Sequence, residues 1–351
     1  MLRWNRLCCV IMIVGSFGGA IRALGADETT LPDGRGPIPL RDMRPYSLLF
    51  LQFLPEAPDV LPRRSSRYGL QIDVANNLLI PSPAGGATVV EDNEYQRLSF
   101  SWRRGLGGQT EFGLFVPILW RDGGFLDSII SAYHRLVGIP ANADDDPAGR
   151  DHWPQFRSIL EIVDTHGNVL VDKGNGFGFG DTSLTLKRSL MPATRRSAVA
   201  ARFGLKLPTG NPTLLLGSGN VDAGLSLDGR YSVGRDLTVY AQFAGVLMGH
   251  AGRVPGAQPS MWQAFYGFEY HPNRRDSFVI QVDGNSLAVR TGNHFADSGD
   301  VTATFAYRRL LDARHTLFLS YSENGDIHNY TLPGFSNIGP DITFSAGIEW
   351  H

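Results

Sequence analysis

The 351-residue chain carries 32 Lys and Arg against 34 Asp and Glu, a formal charge of -2. So even a balance leaves no basic footprint for nucleic acid, and no nucleic-acid partner is expected. The only cysteines are Cys8 and Cys9, both within an N-terminal leader, so the rest of the chain can form neither a disulfide nor a cysteine metal site.

Arg3 and Arg6 open the chain, residues 7-17 are apolar, and Ala23-Leu24-Gly25 places small residues at cleavage spacing. This is the pattern of a cleaved signal peptide over residues 1-25. Its uninterrupted apolar run of about ten residues falls short of the roughly twenty that a spanning helix needs. Beyond it no window approaches about eighteen consecutive apolar residues, which excludes helical spans.

Residues 26-66 hold Pro-rich loops around one apolar run, residues 46-54. That run reads as a thirteenth strand, a periplasmic strap or a segment tucked into a lumen. A place in the lumen or mouth is preferred, because an odd strand would leave the N-terminus outside the cell.

From residue 67 to 351 the polarity alternates with period two in segments of ten or so residues, at about 67-77, 95-104, 109-120, 180-191, 197-208, 219-233, 236-248, 261-272, 276-288, 299-310, 314-325 and 341-350. Phe278, Ile280 and Val282 oppose Gln281, Asp283 and Asn285. Val301, Ala303, Phe305 and Tyr307 oppose Thr302, Thr304 and Arg308. The polar faces are mostly Thr, Ser, Gln, Gly and scattered Arg, unlike the Lys, Glu and Asp of a solvated sandwich. They suit the interior of a barrel whose apolar face meets lipid. Connections alternate between short turns, as at Gly234-Arg235 and Asp312-Ala313, and long loops, the periplasmic and outer ends of a membrane barrel. The fold class is therefore all-β: a transmembrane antiparallel up-and-down β-barrel of about twelve strands, with a short helical insertion in a long loop.

The longest insertion, residues 121-179, has Phe125, Ile129, Ile130, Tyr133, Leu136 and Val137 at helical spacing. A plug helix over residues 125-138 follows, with the face of Phe125, Ile129, Tyr133 and Leu136 expected to bury itself in the barrel mouth or lumen. Farther on, Ile342, Phe344, Ala346, Ile348 and Trp350 alternate with polar or small residues. This resembles the C-terminal signature of bacterial barrels, although His351 rather than an aromatic ends the chain.

Gly178-Phe179-Gly180-Asp181-Thr182-Ser183-Leu184, followed by Gly204-Leu205-Lys206-Leu207-Pro208-Thr209-Gly210, resembles a strand pair of outer-membrane proteins from meta-cleavage phenol-degradation clusters. Pro39-Leu40-Arg41-Asp42 and Phe125-Leu126-Asp127-Ser128-Ile129-Ile130, continuing through His134 and Gly138, look like a sister family. That family is a Gram-negative domain of unknown function about as long as this chain. The resemblance implies an outer-membrane barrel without an established substrate, related to hydrophobic-compound channels such as the long-chain fatty-acid transporter. It carries over no catalytic residue.

The candidate lumen residues are the inward polar set Arg202, Lys206, Arg230, Gln242, Gln281, Asp283, Thr304 and Arg308. They could fill a narrow barrel or set selectivity in a wider one. Asp127, Ser131 and His134 share a helix face, but spacing alone makes no hydrolase triad. Asp144, Asp145 and Asp146 with Asp151 and His152 read as a solvated acidic loop rather than a calcium site. The Gly-rich run at residues 174-180 lacks the ending of a phosphate loop and reads as a lead-in to a strand. No cofactor, metal or catalytic residue is expected. The expected function is a passive channel or transporter for small solutes, hydrophobic or aromatic ones among them; the alternatives are a lipid-acting enzyme and a structural or adhesive barrel. Outer-membrane lipid, lipopolysaccharide, the barrel-assembly machinery and a small-molecule solute are the expected partners.

Overall fold

The structure, a computed structural model, describes residues 35-79, 86-137, 154-249, 254-324 and 338-351. The expected leader, residues 1-25, and the acidic stretch around Asp144 lie outside them. Period-two alternation becomes the two faces of one closed sheet. Its strands are β1 (Ser66–Leu79), β2 (Thr88–Gly107), β3 (Thr110–Asp122), β7 (Thr182–Ser189), β8 (Ser197–Leu207), β9 (Asp222–Val233), β10 (Leu237–Leu247), β11 (Ser260–Tyr270), β12 (Asp276–Asn285), β13 (Asp300–Leu310), β14 (His315–Asn324) and β15 (Ile342–Trp350). Each is antiparallel to its neighbours, and β15 returns to β1 in a register that sets Tyr68 opposite Trp350. The result is a closed barrel of 12 strands. Among the described residues no sheet edge remains in the wall to template aggregation.

The long insertion is more ordered than its sequence suggests. Its described residues hold helix α1 (Leu126–Val137) and three short strands, β4 (Ile159–Val163), β5 (Val169–Lys173) and β6 (Gly176–Phe179). β4 pairs with the first residues of β2, from Thr88 to Asp92, and β5 pairs with β4. This partner explains why β2 begins at Thr88, well before the expected start near residue 95. The Gly-rich run is itself a strand rather than a bare lead-in, because β6 continues the line of β7 along β3. Between them Gly180 donates to the Pro117 carbonyl at 2.9 Å, and the one-residue offset, a bulge, turns Asp181 inward.

The plug-helix expectation requires correction. Phe125, Ile129 and Leu136 are 54%, 48% and 84% exposed, whereas Leu126 and Ile130 are 2% and 1% exposed. The side chain of Tyr133 lies outside those described. The face turned inward is one residue further round the helix, where Leu126 and Ile130 pack on Ile342, Val74 and Tyr321. Two polar contacts hold it there. Glu94 Oε2 accepts from the backbone N–H groups of Phe125 and Leu126, each at 2.8 Å, at the positive end of the helix, and Asp127 accepts from Asn76 Nδ2 at 3.0 Å. A buried carboxylate at the helix start thus overrides the apolar periodicity in choosing the packed face.

The outer surface of the wall is apolar. Leu70, Ile72, Phe203, Leu225, Phe243, Phe268, Phe278, Ile280, Leu319 and Phe344 are all exposed. Water would not stabilise so continuous an apolar band; hydrocarbon would. Aromatic pairs cluster near strand ends, such as Tyr68 stacked on Trp350 at 5.7 Å and Trp102 edge-on to Phe112 at 5.9 Å. Such rings suit a membrane interface.

Phe305 lies mid-strand on that band, 49% exposed. Phe305→Arg should cost about 2-4 kcal/mol of barrel stability in lipid, while Phe305→Leu should be close to neutral. Urea titration of the refolded variants in bilayers would show the difference, and equal midpoints would contradict the lipid-facing assignment.

Candidate functional site

Residues 35-65 occupy the inside of the barrel. The chain enters at the short-turn end, where Arg35 donates from Nη1 to the Arg275 carbonyl at 2.8 Å. It climbs past β12, turns in a single 3-10 turn at Ser47–Leu49 near the long-loop end, and descends to the β2–β3 turn, where Arg64 donates to the Gly105 carbonyl at 2.9 Å. The segment has no strand of its own, so the wall cannot meet its backbone with a ladder. Side chains do so instead. The Gln281 amide accepts from Ile38 N at 3.0 Å and donates to Ile38 O at 3.1 Å. Gln263 accepts from Phe53 N and donates to Leu51 O, both at 2.8 Å. Asp222 takes the Leu51 N–H at 2.9 Å and Glu111 that of Leu61 at 2.8 Å. The plug also needs space. Gly204 and Gly224 face each other across β8 and β9, and a Cβ on either would stand 2.7 Å from the Phe53 ring.

The middle of the lumen is ionic. On the plug, Glu56 meets Lys187, Arg202 at 3.1 Å and Arg103 at 3.7 Å. Each of these three wall cations also has a wall carboxylate: Lys187 with Glu111 at 2.9 Å, Arg202 with Asp228 at 3.3 Å, Arg103 with Glu349 at 3.2 Å. Lys206 binds Asp181 at 2.5 Å and Asp222 at 3.4 Å, and Arg97 binds Asp73 at 2.8 Å, entirely within the wall. Arg44 of the plug meets Glu91 at 2.7 Å, and Arg230 meets Asp59 of the plug at 2.6 Å. Gln242 takes a hydrogen bond from Arg41 of the plug and donates to Asp228 at 2.6 Å. Thr304 pairs with Ser322 at 2.8 Å, and Arg308 donates to the carbonyls of Gly36 and Pro37 at 2.6 and 3.0 Å. Asp283 is buried and its carboxylate oxygens have no hydrogen-bond partner. The eight residues singled out from the sequence thus all point inward, most of them onto the plug or its neighbours.

Sequence reasoning missed Lys187, Asp228, Glu111, Arg103 and Glu349, although each is a charge on the inward parity of its strand. It missed Glu56 and Arg41 for a different reason. An extended segment recognised by side chains has no periodicity to read.

At the long-loop end the lining changes to apolar. Tyr46, Leu49, Phe50, Leu51 and Phe53 of the plug pack with Leu160, Ile162 and Val171 from the β4–β5 hairpin, Leu215, and the rim residues Val246, Met248 and Met261. This apolar cap lies at the long-loop mouth. The short-turn end is open, a vestibule of about 1130 Å³ that narrows to a cavity of about 100 Å³ beside the plug. Two members of the helix-face trio have partners outside it. Asp127 accepts from Phe156 N at 2.8 Å, Ser131 Oγ accepts from Gln155 at 3.3 Å, and the His134 side chain lies outside those described. Among the described residues no group of three or more His, Asp or Glu is placed to hold a metal ion.

Residues 26-335 match the family described as Protein of unknown function (DUF3187), and the chain belongs to it. No curated protein matches. Among solved structures, the chain is similar to a KdgM porin, with 10% identity over 81% of this chain and 98% of that one at a TM-score of 0.39. It is also similar to a NanC porin, with 8% identity over 80% and 99% at 0.43, and to the toluene transporter TodX of Pseudomonas putida, with 11% identity over 92% and 99% at 0.40. Likeness at this level carries no function across.

Lys206 is a buried cation with a full set of partners, since it donates to Ser218 Oγ at 2.7 Å and to Asn220 O at 2.9 Å in addition to the two carboxylates. Lys206→Met would leave Asp181 and Asp222 facing each other uncompensated, and should cost about 3-5 kcal/mol. Equilibrium unfolding of the refolded barrel would measure it, and a loss below about 1 kcal/mol would show that water already screens the site.

Proposed function

We propose that this DUF3187 protein is an outer-membrane channel for small polar solutes, held shut by its own N-terminal segment. One observation carries the reading: in the lower lumen, the cations that grip the plug's Glu56 each keep a carboxylate of the wall. Removing the plug there leaves the wall's cations still paired instead of isolated, and isolated buried charges are the expensive case. A permanent filling would gain more from apolar packing, since a buried ion pair adds little stability over a hydrophobic pair of like volume. A charged, hydroxyl-rich lining favours hydrophilic over hydrophobic or aromatic solutes. The exterior band would lie in lipid, with the long loops among lipopolysaccharide and the short turns in the periplasm. Passage requires the plug to move. The apolar cap supports a second reading, a sealed structural barrel, and one experiment separates the two.

Planar-bilayer recording of the protein lacking residues 36-60 should show long-lived openings. The intact protein should stay closed with rare openings, and Leu51→Cys combined with Asp222→Cys, at positions joined by the Leu51 N–H to Asp222 hydrogen bond of 2.9 Å, should abolish those openings until a thiol is added. A deletion variant that shows the heat-modifiable mobility of a folded barrel yet never conducts would overturn the channel reading in favour of the sealed one.

A further inference from the structure

The cavity of about 100 Å³ at the inner end of the vestibule is lined by five guanidinium groups, those of Arg35, Arg67, Arg103, Arg202 and Arg308. Its only carboxylates are Glu56 and Glu349. Both are already engaged by Arg103, at 3.7 and 3.2 Å. Two of the arginines are under-used. Arg67 has no hydrogen-bond or ion-pair partner among the described residues, and Arg308, 1% exposed, holds two plug carbonyls but leaves its buried Nε–H without an acceptor. A lone buried donor and a cluster of like charges are each unfavourable in a low-dielectric lumen. An anion in the cavity relieves both.

The approach is built for the same charge. The cavity and the vestibule share Arg35, Arg67 and Arg103, so one opens into the other. Around the vestibule, Asp59 is taken by Arg230 and Glu111 by Lys187, whereas Arg235 and Arg274 have no carboxylate among the described residues. Asp236 and Glu349 line it as well, and seven arginines against these four carboxylates leave the vestibule net positive, which gathers counter-ions.

We propose that this cavity is a binding site for a small oxyanion, a phosphate or a short carboxylate, entering from the short-turn end. The planar fork of a guanidinium matches two oxygens of one anion, which favours oxyanions over chloride. Ser101, Ser183 and Thr185 add hydroxyl donors to the lining, and the volume exceeds the roughly 10-15 Å³ that a single water needs. The site also touches the gate. Glu56 is the plug's own oxyanion, bound to Arg202 and Arg103 at its rim. A solute anion offers those arginines the same chemistry and so loosens the returning limb of the plug. This last step rests on the channel reading; the binding site does not.

Isothermal titration of the full mature chain in detergent micelles, with sodium phosphate exchanged for sodium chloride at constant ionic strength, tests the site. Saturable one-site binding is expected, weakened about tenfold or more by Arg67→Gln. Arg235→Gln, at the vestibule wall, should change it by less than about twofold, and Glu56→Gln should tighten it. Succinate in a parallel titration distinguishes a carboxylate preference from a phosphate one. Absence of saturable binding by either anion, or equal losses in Arg67→Gln and Arg235→Gln, would overturn the site. Intact protein that binds neither anion, while its plug-deleted form conducts, would do so too and leave the channel standing, whereas binding by an intact barrel whose plug-deleted form never conducts would leave the site and remove the channel.

Discussion

A chain that runs through the inside of a barrel has peptide groups and no ladder to join, and every other feature of this lumen answers that problem. The wall strands have used their own backbone groups on each other. Only side chains remain to hydrogen-bond the plug, so the inner face must be rich in amides, carboxylates and hydroxyls. Gln281 and Gln263 each present one acceptor and one donor at the spacing of a peptide unit and act as short surrogates for a neighbouring strand. The plug's path in turn dictates where the wall must be bare, as under the Phe53 ring at Gly204 and Gly224.

Along its axis the interior is sorted by polarity. Aliphatic and aromatic side chains collect at the long-loop mouth, ion pairs in the middle, and loosely partnered arginines at the short-turn end. This ordering follows from water access. The mouth excludes water by packing, and its buried surface gains from doing so. The vestibule admits water, which solvates guanidinium groups that could not be left unpaired higher up. Charges in between are kept by pairing alone.

How far the sequence reveals all this depends on the kind of repetition involved. A strand with lipid on one side and polar groups on the other writes a period of two, so the twelve wall segments and the inward parity of Gln281, Asp283, Thr304 and Arg308 are legible directly. The helix was harder. Its periodicity is real, but residues 125, 129 and 136 lie beside residues 126 and 130 on the helical wheel, and the choice between two adjacent faces was made by Glu94 and Asp127, which lie outside any hydrophobic pattern. The plug left only a Pro-rich stretch with one apolar run. Its apolar part marks the cap at the mouth, and the polar residues on either side, Arg41 and Glu56, have meaning only against partners more than a hundred residues away.

Both limbs of the plug pass through the same end of the barrel, and the second runs directly into β1, which is hydrogen-bonded to β15 at the seam where the first and last strands meet. The plug is therefore a bight pushed into a cylinder, not a cord threaded through it. A bight can be drawn out without any chain end crossing the barrel, and without parting the seam or any other pair of strands. Withdrawal leaves no knot and no broken ladder behind, and reinsertion begins from an anchored limb whose tether to β1 keeps the apex at high local concentration beneath its own socket.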